Sequence, residues 1–147
     1  MIEIKALDKY DDVLAAKMGL ILKDLSSKWD GSPVSEEWIR EVIASPYHDE
    51  LLAYDGEELV GMASVSLVLG AKIDRNAYLE DFVVSAGHQG KGIGGLMWNA
   101  ILDWARKKGA KRLEFTSSGK DKKSGAVAFY LKKGAEIRDT NFFRVEL

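Results

Sequence analysis

Hydrophobic and polar residues follow two different periods along the first third of the chain. Residues 2–7 alternate as in a short strand, because successive strand side chains point to opposite faces. Apolar residues then recur at helical spacing over 9–26, with Asp8 as the predicted N-cap. Ser35 is the predicted N-cap of a second helix, which ends near Pro46. The chain is therefore predicted to begin with a strand and two amphipathic helices.

The middle of the chain has the pattern of a hairpin followed by a strand and a long helix. Residues 51–54 and 59–69 are predicted strands joined by a turn at Asp55-Gly56. Residues 78–84 are the next predicted strand. A long helix then follows a glycine-rich turn and ends near residue 108, where Gly109 is well placed as its C-terminal cap.

The C-terminal part alternates short elements with polar segments. It contains a predicted strand at 112–116, a helix at 124–133 ended by Gly134, and two strands around 136–138 and 142–147. Only the part from 78 to 116 has β-α-β order, which requires a parallel pair, whereas the hairpins imply antiparallel pairs. We therefore predict one α/β domain over residues 1–147, with a central mixed, mostly antiparallel sheet and helices on both faces.

Composition narrows the class of protein. The 147 residues are 46% hydrophobic with a formal net charge of −2, which is typical of a globular protein and not of a nucleic-acid-binding surface. There is no cysteine, and His48 and His88 are far apart, so we expect neither a metal site nor a thiol nucleophile. No run approaches the length of a membrane span. We expect a cytoplasmic protein whose partners include neither membrane nor nucleic acid.

A glycine-rich turn lies between the strand at 78–84 and the long helix. Its sequence is Gln89-Gly90-Lys91-Gly92-Ile93-Gly94-Gly95. The first N–H groups of a helix have no partner within the helix and lie at the positive end of its dipole, so such a turn binds phosphate. We therefore expect a ligand that carries a phosphate or pyrophosphate.

Two common phosphate-binding motifs fit this turn poorly. A P-loop requires Lys followed by Ser or Thr after its last glycines, but Leu96 follows Gly95. Gly90, Gly92 and Gly95 do satisfy the G-x-G-x-x-G pattern of dinucleotide-binding proteins, and Glu114 lies where a ribose-binding acid belongs. The chain lacks the repeated β-α units of a doubly wound sheet. A dinucleotide-binding oxidoreductase is therefore only an alternative.

A third motif uses more of the sequence. Gln89, Gly92 and Gly94 form a Gln-x-x-Gly-x-Gly pattern that resembles the acetyl-CoA signature of the GNAT superfamily of N-acetyltransferases. The preceding strand, Tyr-Leu-Glu-Asp-Phe-Val-Val at 78–84, is most similar to its form in diamine acetyltransferases. Residues 126–135 resemble the second hallmark of the family, a short helix that carries Phe-Tyr and ends at glycine. The resemblance covers essentially the whole chain and implies the GNAT acyl-CoA N-acyltransferase fold.

The resemblance implies that acetyl-CoA is the co-substrate and that no metal takes part. The turn would hold the pyrophosphate, and the strand edge at 82–84 would pair with the pantetheine amides if that strand diverges from the one at 112–116. Lys123 stands where the family often has asparagine. The implied cofactor-binding residues are Phe82, Val83, Val84, Gln89, Gly90, Lys91, Gly92, Ile93, Gly94, Gly95, Lys123, Ala126 and Phe129.

The resemblance also implies direct acetyl transfer to an amine in a ternary complex, and no cysteine is present to carry an acyl intermediate. Tyr130 occupies the position of the general acid that protonates the leaving thiolate. Glu80 matches the general base of the diamine-type relatives, with Asp81 or no direct base as alternatives. Because adjacent strand residues point to opposite faces, we expect that Glu80 and Asp81 do not both face the substrate in the same way.

The sequence does not identify the acceptor amine. The family builds its acceptor pocket from the first two helices, their loop and the last strands, where acids and aromatics would suit a cationic amine. Expected acceptors are a primary amine of a small molecule, polyamine-like or other, and a protein amino group. A non-catalytic acyl-CoA-binding sensor is an alternative, and a homodimer is compatible with the sequence. The residues concerned are Trp29, Asp30, Glu36, Glu37, Trp38, Tyr47, Asn141, Phe142 and Phe143.

Overall fold

The computed structural model describes residues 1–117 and 125–147, which form two compact units, Met1–Phe115 and Thr116–Leu147. The second unit contains one described helix, α4 (Ala126–Lys132). The first unit holds the strands β1 (Ile2–Ala6), β2 (His48–Asp55), β3 (Glu58–Gly70), β4 (Asp74–Val84) and β5 (Leu113–Glu114). Its helices are α1 (Asp12–Leu25), α2 (Glu36–Ala44) and α3 (Ile93–Lys107), and a short 3₁₀ turn covers Ala86–His88.

The five strands form one mixed sheet in the order β1-β2-β3-β4-β5. The first three pairs are antiparallel, and β4 pairs with β5 in parallel. A parallel pair needs a crossover connection, which α3 supplies. The predicted mixed, mostly antiparallel sheet is therefore confirmed, and a doubly wound parallel sheet is excluded.

Helices cover both faces of this sheet, as predicted. Met62 of β3 belongs to a buried core that includes Met18 of α1 and Ile39 of α2. The neighbouring Gly61 faces the other side, where a Cβ atom would lie 2.6 Å from the sulfur of Met97 of α3. Alternating residues of β3 thus contact different helices, so α1 and α2 lie on one face and α3 on the other. No helix in the described residues combines the length and apolar character needed to cross a membrane.

The predicted N-cap is confirmed for α2 and is wrong for α1. Ser35 caps α2, since its Oγ accepts a hydrogen bond from the backbone N of Trp38 at 3.1 Å. Asp11 rather than Asp8 caps α1, with Oδ1 accepting from the backbone N of Leu14 at 2.8 Å. The predicted start was too early because the backbone N of Leu7 still donates to Glu50 of β2, which keeps the chain attached to the sheet.

The C-terminal strands are the main error of the sequence-based assignment. The predicted strand at 112–116 is reduced to Leu113–Glu114, and no strand forms over 136–147 in the described structure. Phe143 and Val145 alternate with charged residues, but their side chains are 84% and 82% exposed. Alternation is a local pattern, whereas a strand requires a partner edge. The helix ends are better predicted, because Gly109 and Gly134 both have positive φ, as helix-terminating glycines do.

Candidate active site

Strand β4 loses its parallel neighbour halfway along its length. Ala77 and Tyr78 pair with β5, and no further residue of this edge has a strand partner within residues 1–115. The opposite edge stays paired with β3 as far as Val84. The sequence-based hypothesis requires the two strands to diverge beside residues 82–84; the register shows that the pairing of β4 with β5 ends at Tyr78, and the divergence itself stays a prediction.

A β-bulge interrupts β4 at the same place. Ser64 lies opposite Glu80 while Met62 lies opposite Val83, so the stretch of β4 between these pairs holds one more residue than β3 does. Asp81 has a φ of 47°, in a region that non-glycine residues seldom occupy. The extra residue changes which side chains of β4 share a face.

The charges of Glu80 and Asp81 on β4 act on two titratable groups of β2, His48 and Glu50. Burial lowers the pKa of His48, and the charges of Asp49 and Glu80 oppose that change. Burial raises the pKa of Glu50, and the charge of Asp81 raises it further. Strict alternation does not hold across a bulge, so it does not decide which faces Glu80 and Asp81 occupy, and the expectation about their faces stays a prediction.

The glycine-rich turn leads from β4 into α3 with two residues in the left-handed region. Gly90 and Gly92 have φ of 78° and 82°, and a Cβ at either would meet no described atom within 4 Å. Glycine is needed there for the backbone conformation rather than for lack of space. Gly92 is the N-cap of α3 and makes no side-chain cap, so it does not cover the N–H groups of the first turn.

Side-chain hydrogen bonds hold the entry to this turn. Gln89 Nε2 donates to the carbonyl oxygen of Val84 at 3.0 Å. Ser85 Oγ and His88 Nδ1 are 2.9 Å apart, and His88 Nε2 lies 3.6 Å from Glu58 Oε2. The backbone N of Ala86 donates to an α1 carboxylate, Asp24 Oδ2, at 2.9 Å. The Gln89 side chain thus binds to the strand end, while its backbone remains part of the turn.

A buried acid that the sequence-based reasoning missed lies on β2. Glu50 is fully buried, and its Oε2 accepts a hydrogen bond from Ser64 Oγ at 2.6 Å. Burial raises the pKa of Glu50 to about 8, so its carboxyl is largely protonated at neutral pH. The available signal was the alternation of polar residues in two segments: His48 and Glu50 just before one predicted strand, and Ser64 and Ser66 within the next. In the structure His48 lies opposite Ser66 and Glu50 lies opposite Ser64.

The residues predicted for the acceptor pocket on the first two helices have local structural roles. Glu36 forms an i,i+4 ion pair with Arg40 at 2.7 Å, as expected for an acid in the first turn of a helix. Trp38 packs edge-on against His48, with ring centroids 6.2 Å apart. Asp30 Oδ1 accepts from the backbone N of Ser32 at 2.8 Å, and hydrogen bonding by the Ser32 side chain, then by its backbone, lowers the Asp30 pKa. Trp29 and Tyr47 are exposed.

The carboxylate of Glu114, which the dinucleotide alternative would assign to a ribose, is already engaged. Its Oε1 accepts from Asn76 Nδ2 at 2.6 Å and from Arg112 Nε at 3.1 Å. The contact with Asn76 joins β4 to β5. The contact with Arg112 joins β5 to the residue just before it. They give Glu114 a structural role at the sheet edge.

The second unit carries the other predicted site residues. Tyr130 and Phe129 lie on α4, are half-buried, and have ring centroids 5.4 Å apart in an edge-on arrangement. Ala126 is the first residue of this helix, and Gly125 is its N-cap with a φ of 82°. Lys123 and the predicted helix cap Ser124 lie outside the described residues.

A mostly antiparallel sheet, a bulged strand β4 and a glycine-rich helix start define a mixed α/β protein. The sequence profile of the acetyltransferase (GNAT) family matches residues 20–135, and the chain belongs to that family. Membership indicates an acetyltransferase, and the family generally uses acetyl-CoA with an acceptor substrate. A search of curated proteins gives no match.

Solved structures share the fold at low sequence identity. An aminoglycoside acetyltransferase from an uncultured soil metagenomic sample is 18% identical with a TM-score of 0.82, and the alignment covers 100% of this chain and 99% of that one. An acetyltransferase from Trypanosoma brucei is 18% identical with a TM-score of 0.75 and full coverage of both chains, 100% and 100%. A transcriptional regulator from Bacillus halodurans is 18% identical with a TM-score of 0.80, again covering 100% of each chain.

Proposed function

We propose that this protein is an acetyl-CoA-dependent N-acetyltransferase acting on a primary amine of a small molecule, polyamine-like or other, or on a protein amino group. The observation that carries the proposal is that β4 pairs with β5 only at Ala77 and Tyr78 and then leads through a short turn into the glycine-rich start of α3. A strand edge offers N–H and C=O groups to the pantetheine amides. A helix start offers N–H groups and a positive dipole end to the pyrophosphate.

The donor half of the reaction is assigned to β4 and the turn. Phe82, Val83 and Val84 are the proposed pantetheine-binding residues, and the carbonyl of Val84 also accepts from Gln89 Nε2. The backbone of 89–95 would hold the pyrophosphate, with Lys91 as an exposed cation. The family resemblance also assigns Lys123, Ala126 and Phe129 to cofactor binding, and the proposal includes them on that ground.

The chemistry is direct attack of the amine on the thioester carbon. The ammonium N–H bond must break before the nitrogen lone pair can attack, and a carboxylate of β4, Glu80 or Asp81, would accept that proton. The C–S bond then breaks, and the leaving thiolate takes a proton from the hydroxyl of Tyr130. The protein contains no cysteine for a covalent acyl intermediate.

The acceptor is proposed from the carboxylates of Glu80 and Asp81 and from the likeness of the β4 sequence to diamine acetyltransferases. These carboxylates favour a cationic amine over an anionic or neutral one. Aminoglycoside acetyltransferases among the structural neighbours support including such compounds in a screen. We also propose that residues 1–147 act as a single GNAT domain, since the family match includes residues of both units. We propose in addition that the protein acts in the cytoplasm.

Calorimetry and a thiol-release assay test the proposal together. Acetyl-CoA should bind while NAD does not, and CoA should be released with at least one member of a panel of polyamines, amino acids, aminoglycosides and peptide N-termini. Binding without turnover of any amine would favour the non-catalytic sensor. Binding of NAD without binding of acetyl-CoA would contradict the proposal altogether.

Replacing Tyr130 with Phe tests the general acid. The variant keeps the ring that packs on Phe129 but loses the hydroxyl proton, so kcat should fall by roughly 100-fold with little change in acetyl-CoA affinity. Steady-state kinetics and calorimetry measure the two quantities separately. An unchanged kcat would remove Tyr130 from the mechanism.

A further inference from the structure

Residues 85–88 lead from β4 into the glycine-rich turn, and we call them the entry segment. They consist of Ser85 and the 3₁₀ turn Ala86–His88. Three of the six residues 87–92 are glycine, so this part of the backbone loses more conformational freedom on folding than an ordinary loop does. Backbone N–H groups bind a ligand more tightly when they are already held in the bound orientation. The contacts that restrain the entry segment therefore bear on the proposed cofactor site.

One of these contacts comes from a helix that is distant in sequence. The backbone N of Ala86 donates to Asp24 Oδ2 at 2.9 Å, across 62 positions of the chain. Ala86 is the first residue of the 3₁₀ turn, so its N–H has no partner within that turn. Asp24 lies in the last turn of α1, and the buried Met18 and Ile21 anchor this helix in the core. The hydrogen bond thus ties the start of the entry segment to an anchored helix.

Contacts from β3 hold the rest of the entry segment. The backbone N of Ser85 donates to the carbonyl oxygen of Val60 at 2.8 Å. Ser85 Oγ lies 2.9 Å from His88 Nδ1, and His88 Nε2 lies 3.6 Å from Glu58 Oε2. The entry segment is therefore held from two sides, by β3 through these contacts and by α1 through Asp24.

A pocket of about 530 Å³ borders this junction, and Asp24, Glu58 and Ser85 all line it. The walls of a pocket lack part of the van der Waals contact that packed side chains provide. Side-chain packing therefore restrains the entry segment less than it restrains the core. The hydrogen bond from Ala86 to Asp24 contributes correspondingly more.

We propose that Asp24 is a positioning residue for acetyl-CoA binding: by accepting from Ala86, it holds the entry segment and the backbone N–H groups of 89–95 in the orientation that receives the pyrophosphate. This inference rests on the proposed function. Asp24 acts through the backbone and does not contact the cofactor. Its negative charge opposes an anionic pyrophosphate, whereas its hydrogen bond favours binding, so the two effects have opposite signs and can be separated.

Calorimetry with acetyl-CoA separates these effects in a matched pair of variants. Asp24→Asn removes the charge but keeps an oxygen that can accept from Ala86, whereas Asp24→Ala removes both. Asp24→Ala should bind acetyl-CoA about threefold to tenfold more weakly than Asp24→Asn, because the turn then spends part of its time in orientations that do not bind. Equal Kd values for the two variants would overturn the proposal.

A change at the donor tests the same hydrogen bond from its other end. Ala86 begins the 3₁₀ turn, and Ser85 before it has φ of −55° and ψ of 143°, which together suit a proline at position 86. Ala86→Pro deletes the donor N–H. In this background, Asp24→Ala and Asp24→Asn should bind acetyl-CoA within about twofold of each other. A difference as large as in the chain that keeps Ala86 would show that Asp24 acts through another contact, and the proposal would fail.

Steady-state kinetics distinguish positioning from a general loss of stability. Relative to Asp24→Asn, Asp24→Ala should have a higher KM for acetyl-CoA and a kcat within about twofold, because saturating cofactor selects the binding orientation. A variant that is only less stable would bind acetyl-CoA normally once folded, and urea unfolding measures that stability separately. A lower kcat with an unchanged KM would contradict the positioning role.

The outcomes for this inference and for the proposed function are distinguishable. If the wild type does not bind acetyl-CoA, the proposed function fails and the role of Asp24 fails with it. If the wild type binds acetyl-CoA and the Asp24→Ala and Asp24→Asn variants bind it equally well, only this inference fails. A weaker Kd for Asp24→Ala that disappears in the Ala86→Pro background supports both.

Discussion

Replacing Glu50 with glutamine should flatten the pH dependence of the free energy of unfolding. Burial raises the pKa of this carboxyl from 4.5 to about 8 in the folded protein. Above its ordinary pKa the unfolded chain has lost this proton, whereas the folded chain keeps it up to about pH 8. The folded state therefore binds one more proton in this window, and the free energy of unfolding must fall as pH rises through it.

The size of the effect follows from the same pKa values. Each pH unit between the two values removes about 1.4 kcal/mol from the free energy of unfolding, which amounts to about 3 kcal/mol by neutral pH. Glutamine has the same shape and its oxygen can accept the hydrogen bond from Ser64, but it does not ionise. Burying its amide nitrogen costs about 1–3 kcal/mol at any pH, which shifts the curve without changing its slope.

Urea unfolding at several pH values from about 5 to about 9 measures this contribution directly. The difference between Glu50→Gln and the wild type should move in favour of the variant by about 1.4 kcal/mol per pH unit up to about pH 8 and then level off. Asp49→Asn is the control, because Asp49 is a neighbouring carboxylate on the other face that accepts from Trp104 Nε1 at 2.6 Å. Parallel curves for the wild type and Glu50→Gln would refute the assignment of a raised pKa to Glu50.

Three further predictions concern local structure and can be checked by chemical denaturation. Gly92→Ala should lower the free energy of unfolding by about 1–2 kcal/mol because of its left-handed φ, whereas Gly87→Ala, equally open but without positive φ, should have little effect. Gly19→Ala should cost about 1–3 kcal/mol or more, since its Cβ would lie 2.0 Å from the carbonyl oxygen of Ser32; an unaffected variant would contradict this close approach. Ser35→Ala should cost about 1 kcal/mol, while Ser35→Asp should retain the cap, and equal losses would argue against capping.

Most of the fold could be predicted from the sequence because its signals are local. The hairpin of β2 and β3, the cap at Ser35 and the glycine that follows α3 each depend on a few neighbouring residues. The strands expected around 136–138 and 142–147 had an equally clear alternation but are not formed in the described structure. A strand exists only when a partner edge is present, and no local pattern specifies that partner.

The candidate site divides in the same way. The sequence determined the glycine-rich turn, its position between a strand and a helix, and the family, because each of these depends on motifs of neighbouring residues. Only the tertiary structure revealed Glu50 as a buried acid and aligned it with Ser64 and Glu80 across the sheet. Burial and the pairing register join residues about thirty positions apart, and the β4 bulge is defined only against β3. The pKa of a carboxyl depends on its burial and on the charges around it in the folded protein, so residues that are adjacent in sequence do not predict it.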